Sequence, residues 1–256
     1  MKYALVAKQR VEAFPGGKAT CSRCNGEVIA KCGSQRMSHW AHRGLQDCDS
    51  WVEKETEWHR AWKDRFPSEF QETILHDEAT GERHVADVCT SHGLVIEFQH
   101  SYLDSKERVA RESFYSNMLW IVDGARLKGD YPRFMRGMDG LRPIIVGHFL
   151  LRFPEECFPK LWLESSVPVI FDFRGIDVRT SPDPLKDTLW CLLPGRAEGH
   201  AVVVGMSPEQ FVRVAPSRAQ LIQAKEILSN FSQVLRELRA QQQYRPIPPG
   251  RPSPRL

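Results

Sequence analysis

Two acids sit inside apolar runs a few residues apart. Asp87 lies in His84-Val85-Ala86-Asp87-Val88-Cys89, and Glu97 in Leu94-Val95-Ile96-Glu97-Phe98-Gln99. A carboxylate in such a run is costly unless it is paired or holds a metal. Both runs read as short strands, with Ser91-His92-Gly93 supplying the turn between them. Strand parity places Val85, Asp87 and Cys89 on one face, and Val95, Glu97, Gln99 and Ser101 on one face of the next strand. If the pairing aligns those faces, Asp87 and Glu97 converge with Gln99 beside them. That donor set suits a hard, oxygen-binding divalent cation. Parity alone is met equally by two strand-end acids facing water.

A second group of chemically capable residues lies earlier. Four of the seven cysteines precede residue 50. Cys21-Ser22-Arg23-Cys24 is a C-x-x-C knuckle, followed by Asn25-Gly26, a strand-like Glu27 to Ala30, and then His39-Trp40-Ala41-His42. Two close thiolates and two later imidazoles suit a closed tetrahedral zinc site with Cys21, Cys24, His39 and His42 as ligands. The histidine spacing is shorter than in the usual finger, and Cys32 or Cys48 can replace one ligand. Free thiols and packing histidines are the alternative. A segment this short has little core of its own and gains much from a metal.

The elements that must position these groups can be read from periodicity. Asp49 or Ser50 can cap a helix through Trp51 to Phe66, ended by Pro67. On it, Trp51, Trp58 and Trp62 read as packing residues, and Glu55, His59 and Lys63 share one i, i+4, i+8 row. Phe70 to Leu75 reads as a strand, so three consecutive strands are expected. A polar helix, Ser105 to about Asn117, carries Arg108, Arg111 and Tyr115 on one side. Met118 to Asp123 is then an apolar strand, and the intervening helix predicts a parallel crossover. The expected order is helix, three strands, helix, strand.

Taken together, these residues resemble a known family. Cys-x-x-Cys, His-Trp-Ala-His, Glu-Thr-Glu-Trp-His, Arg-x-x-Ala-Asp-Val, Ile-Glu-Phe-Gln-x-Ser, Arg-x-x-x-Tyr and Leu-Trp-Ile-Val-Asp resemble the competence protein CoiA-like nucleases, over roughly residues 18 to 125. These belong to the PD-(D/E)XK, or restriction-endonuclease-like, superfamily, whose α-β-β-β-α-β core matches the order above. The resemblance implies an α/β fold with a mixed sheet behind a small zinc-ribbon-like module, and DNA hydrolysis with Mg²⁺ or Mn²⁺. It implies that Asp87 and Glu97 hold the cation, assisted by an acid of the first helix, with Glu55 first and Glu57 as its alternate. The superfamily's usual third-position Lys is Gln99 here, a form the CoiA-like branch resembles. Gln99 lacks the amine that positions or activates the attacking water, but its amide can orient that water.

Further roles follow from residue types. His59 suits a phosphate contact or proton transfer. Arg108 and Arg111 suit phosphate clamping, with Lys63 and Ser101 as further nucleic-acid contacts; a solvated helix face is the alternative for the three basic residues. A non-cleaving DNA-binding accessory protein and a metal-bound structural module for protein partners are the other functional classes.

Composition sets the bounds. The chain has 256 residues, 41% hydrophobic and 26% charged, with a net charge of +3, ordinary for a soluble globular protein. No stretch reads as a signal peptide or a membrane span, and the cytoplasm is the expected location. The expected domains are 1–50, the Cys/His module; 51–215, the catalytic-type core with a C-terminal β extension; 216–243, a long helix; and 244–256, a disordered Pro/Arg-rich tail. Arg126 to Arg142 reads as a basic loop. Strands are expected at 144–149, 168–173, 188–193 and 201–204. The long helix, with a Leu221, Ala224, Leu228, Phe231, Leu235, Leu238 seam, packs on its own domain or pairs two chains, leaving monomer and dimer open.

Overall fold

The computed structural model describes residues 1–34, 36–44, 48–51, 55–175 and 182–243. The N-terminal stretch to His42 contains five strands: β1 (Tyr3–Val6), β2 (Gln9–Glu12), β3 (Lys18–Thr20), β4 (Glu27–Gly33) and β5 (Arg36–His42). They pair in the order β2-β1-β3-β4-β5, each neighbour antiparallel. Ala4, Cys21, Val28 and Trp40 make a small core. Trp40 is fully enclosed, and its indole N–H donates to Val11 O at 3.0 Å.

The remainder is built on one mixed sheet. Its chain order begins α1 (Glu57–Lys63), β6 (Gln71–His76), β7 (Arg83–Cys89), β8 (Val95–Gln99), α2 (Ser105–Phe114) and β9 (Met118–Asp123). Strands β6, β7 and β8 form an antiparallel meander, with Gly93 at φ +75° in the tight turn before β8. β8 and β9 run parallel across α2, so the expected order and sense of the six elements are observed.

Next come α3 (Asp130–Gly137), β10 (Leu141–Ile145), β11 (His148–Leu151), α4 (Lys160–Leu163), β12 (Val169–Asp172), α5 (Pro184–Asp187), β13 (Leu189–Leu192), β14 (Ala201–Met206), α6 (Pro208–Val214) and α7 (Ala224–Gln243). The later strands extend the same sheet, giving nine strands in the order β10-β11-β14-β13-β12-β9-β8-β7-β6. Central strands β8, β9, β12 and β13 are buried along their length, as both covered faces require. One face packs Trp58, Trp62 and Phe66 from the α1 region with Phe211 of α6 and Phe231 of α7. The other packs Phe134 of α3 and Trp162 of α4 against Trp120, Phe171 and Trp190.

Several expectations are corrected. The first helix starts at Glu57, not near residue 50, because Thr56 is its N-cap and accepts from His59 N at 3.2 Å. Asp49 is used elsewhere, and residues 52–54 lie outside the described residues. The expected strand over 144–149 is a turn: β10 ends at Ile145, and Gly147 at φ +74° reverses the chain into β11. The expected loop after Arg126 contains helix α3. The long helix begins at Ala224, and its Phe231, Leu228 and Leu235 pack onto the sheet of their own chain. The tail 244–256 lies outside the described residues.

Candidate functional site

Four potential metal ligands meet in the N-terminal module. Cys21, Cys24, His42 and Cys48 bring one ligand atom each to within 4.8 Å of the others. Cys21 Sγ and Cys48 Sγ lie 3.7 Å apart, and Cys24 Sγ lies 3.3 Å from His42 Nε2. Two thiolates about 2.3 Å from one tetrahedral zinc stand roughly 3.8 Å apart, so the sulfur spacing fits a shared cation. It is far too long for a disulfide, at about 2.05 Å. Gly26 N–H donates to Cys24 Sγ at 3.3 Å. Burial works against the Cys24 thiolate, but that N–H and the neighbouring thiols hold its pKa below the usual range. Burial, then the proximity of Cys21, pushes Cys48 up to about 12, a cost that a bound cation removes.

His39 is not part of this group. Residues 36–42 are a strand, and three residues along a strand is an odd step, so His39 and His42 face opposite ways. His39 Nδ1 lies 2.9 Å from Met37 O instead. Cys48, brought back by the chain after β5, takes the fourth place, and Cys32 stays outside the cluster.

Asp87 and Glu97 stand at a fork in the main sheet. The β7–β8 ladder pairs Cys89 with Val95 and Val88 with Ile96. One step further, side chains replace backbone partners. Asp87 N–H donates to Glu97 Oε1 at 3.1 Å, and Phe98 N–H donates to Asp87 Oδ2 at 3.0 Å. Glu97 is buried, and its Oε2 accepts from Arg111 Nη1 at 3.0 Å. Asp87 Oδ1 lies 2.8 Å from His59 Nε2, although neither ring nitrogen of the buried His59 makes an aligned hydrogen bond. Burial first, and the Asp87 carboxylate second, push Glu97 up to about 8. Burial acts on Asp87 in the same sense, but His59, Lys63 and the Phe98 N–H outweigh it and hold its carboxyl below the ordinary value.

The supporting residues differ from expectation in their surroundings. Glu55 precedes α1 and pairs with Lys63 Nζ at 2.6 Å and with Arg60. Glu57 is exposed and lines a separate cleft with Trp58, Trp62, Asp172 and Arg174, away from Asp87. Lys63 is buried between Glu55 and Glu72, 2.9 Å from the latter. Burial lowers the Lys63 pKa, but Glu72, Glu55 and Asp87 raise it further than burial lowers it. Arg108 is buried in a two-pronged contact with Glu112, both distances 2.8 Å. Arg111 is buried among Glu97, Glu107 and Trp51 O. The open, phosphate-facing surface expected for Lys63, Arg108 and Arg111 is therefore replaced by internal ion pairs. Gln99 is buried, its amide donating to Ser101 O at 3.2 Å, and Ser101 is exposed.

Residues 7–50 match the family described as the competence protein CoiA, N-terminal domain. That stretch is CoiA-like. Among curated proteins and solved structures nothing matches it significantly. The matched stretch contains all four clustered ligands and ends two residues beyond Cys48.

Three acids tie the N-terminal strands and α1 to the main sheet through long-range contacts. Asp49, directly after Cys48, is buried; its Oδ1 lies 2.9 Å from His84 Nδ1, and its Oδ2 accepts from Val85 N at 3.0 Å. Glu72 accepts from the backbone N–H of Lys2 at 2.7 Å and of Tyr3 at 3.0 Å. It does so from φ +48°, a left-handed conformation costing about 1–2 kcal/mol in a residue with a Cβ. Asp172, at the end of β12, accepts from the indole N–H of both Trp58 and Trp62, at 3.2 and 2.9 Å, and so fixes α1 on the sheet. The partners of all three acids are distant in sequence, so only the spacing of Trp58 and Trp62 carried any local signal. Among the described residues no helix is long and apolar enough to cross a membrane.

Proposed function

We propose that this CoiA-like protein is a divalent-metal-dependent nuclease that hydrolyses phosphodiester bonds in DNA, with a restriction-endonuclease-like core and a zinc-bearing module in front. The observation that carries this reading is the pair of acids at the β7–β8 fork, Asp87 N–H bonded to Glu97 Oε1 and Phe98 N–H to Asp87 Oδ2. The helix, three-strand meander, helix and parallel strand around it support the same reading.

The donor set fits a hard cation. Carboxylate oxygens keep a second lone pair beyond the hydrogen bonds described, and burial, with Asp87 beside it, disfavours the charged form of Glu97, a cost that a bound cation would offset. Asp87 and Glu97 would hold Mg²⁺ or Mn²⁺; Glu55, committed to Lys63 and Arg60, acts instead through that buried charge network. Such a cation lowers the pKa of a bound water and neutralises charge on the phosphate. Arg111 keeps Glu97 oriented. His59, 2.8 Å from Asp87 Oδ1, can exchange a proton at Nε2. Gln99 supplies a neutral amide where an amine is more common.

The second reading is a DNA-binding accessory protein that does not cut, and Gln99 is the residue that favours it. Incubating the purified chain with single-stranded, double-stranded and branched DNA in Mg²⁺ or Mn²⁺ separates the two. Cleavage lost in Asp87→Ala and Glu97→Ala supports the nuclease; binding with no cleavage of any substrate supports the accessory protein.

A further inference from the structure

We propose that the linker Cys48–Trp51 couples the two metal centres, so that occupancy of the Cys21/Cys24/His42/Cys48 site sets the affinity of the acid pair for its divalent cation. This rests on Asp87 and Glu97 being cation ligands. Two separate arms leave the linker. The first is Asp49, whose carboxylate holds His84 and the Val85 N–H, fixing β7 two residues before Asp87. The second is the Trp51 carbonyl, which accepts from Arg111 Nη2 at 2.7 Å, while Nη1 of the same guanidinium holds Glu97 Oε2 at 3.0 Å. The Trp51 ring stacks on His84, ring centres 3.3 Å apart and planes within 13°, so the two arms are also locked to each other.

The guanidinium makes this transmission direct. It is planar and rigid, so its two terminal nitrogens cannot move independently. Nη2 also bonds Glu107 on α2, so a shift of the Trp51 carbonyl changes the balance of contacts that orients the fork holding Glu97. Cys48 ties the front of this linker to the metal cluster, one residue before Asp49. A metal–thiolate bond there fixes the linker in place; its loss frees the linker to leave both arms. Coupling between two binding sites is a differential stabilisation of one shared arrangement, and it is reciprocal.

The test measures Mn²⁺ binding to the full chain by the electron paramagnetic resonance signal of free Mn²⁺. Zinc-loaded protein is compared with protein stripped of zinc, its fold checked by circular dichroism. The expected result is a Kd weakened about tenfold or more by stripping, within the usual range of allosteric coupling. Zinc-loaded Asp49→Asn, with unchanged zinc content, should weaken Mn²⁺ binding several-fold, and this variant decides the matter if the stripped chain unfolds. Mn²⁺ binding that depends on Asp87 but ignores both zinc removal and Asp49→Asn overturns the coupling alone. Absence of any Asp87-dependent Mn²⁺ site in the zinc-loaded chain overturns the cation reading of the acid pair, and the coupling with it.

Discussion

Asp87 and Glu97 face each other at the point where β7 and β8 part, the N–H of the one bonded to the carboxylate of the other at 3.1 Å. Each acid therefore helps position the other. Asp87→Ala and Glu97→Ala should each lower DNA cleavage by on the order of a hundredfold or more, the loss that follows removal of a preorganised electrostatic group. DNA binding, measured by fluorescence anisotropy, should persist in both. Wild-type cleavage rates in either variant would remove the acid pair from the mechanism.

Glu97 gives the pair a pH signature in protein without added Mg²⁺ or Mn²⁺. Its folded pKa is raised to about 8, so between about 4.3, the unfolded value, and 8 the folded state binds more protons. Its contribution to stability is complete below that range and is lost as pH rises through it. Urea unfolding across pH 5 to 9 should show this decline, and Glu97→Gln should flatten it. A wild-type profile unchanged by Glu97→Gln would contradict the raised pKa.

The metal module makes a sharper prediction about individual ligands. Elemental analysis should find about one zinc per chain. His39→Ala should keep it, because His39 faces away from the cluster, whereas Cys48→Ser should lose most of it. The reverse pattern would restore His39 as the fourth ligand.

Glu72 should make the contact between the two sheets acid-sensitive. Although burial works to raise its pKa, Lys63 and the N-terminal amine and amides hold it well below the ordinary value. A depressed carboxyl stabilises the fold above its unfolded pKa of about 4.3 and loses that contribution as pH falls toward the folded value. Glu72→Gln should cost about 1.5–3 kcal/mol at pH 7, the usual worth of hydrogen bonds to a charged group, with the gap narrowing at pH 3. Denaturant melts at the two pH values test this; an equal deficit at both would show that charge is not the cause.

The sequence by itself determined the local features. Residue types and parity brought Asp87 and Glu97 forward, and periodicity fixed the order from the first helix to β9. The Cys-x-x-Cys knuckle marked the Cys/His cluster, and Cys48 is among the named substitutes. These are legible because strand parity, turn chemistry and short-range spacing are properties of neighbouring residues. The tertiary structure decided the rest. It put Cys48 in place of His39, because only the path of the chain after β5 returns a thiol to the cluster. It turned Lys63, Arg108 and Arg111 from candidate phosphate contacts into buried partners of Glu55, Glu112 and Glu97. It also gave Asp49 and Glu72 their bonds to Val85 and Lys2, 36 and 70 residues away. An isolated sequence shows that a residue is charged, but whether that charge meets solvent, a cation or an opposite charge depends on which distant strand folds against it.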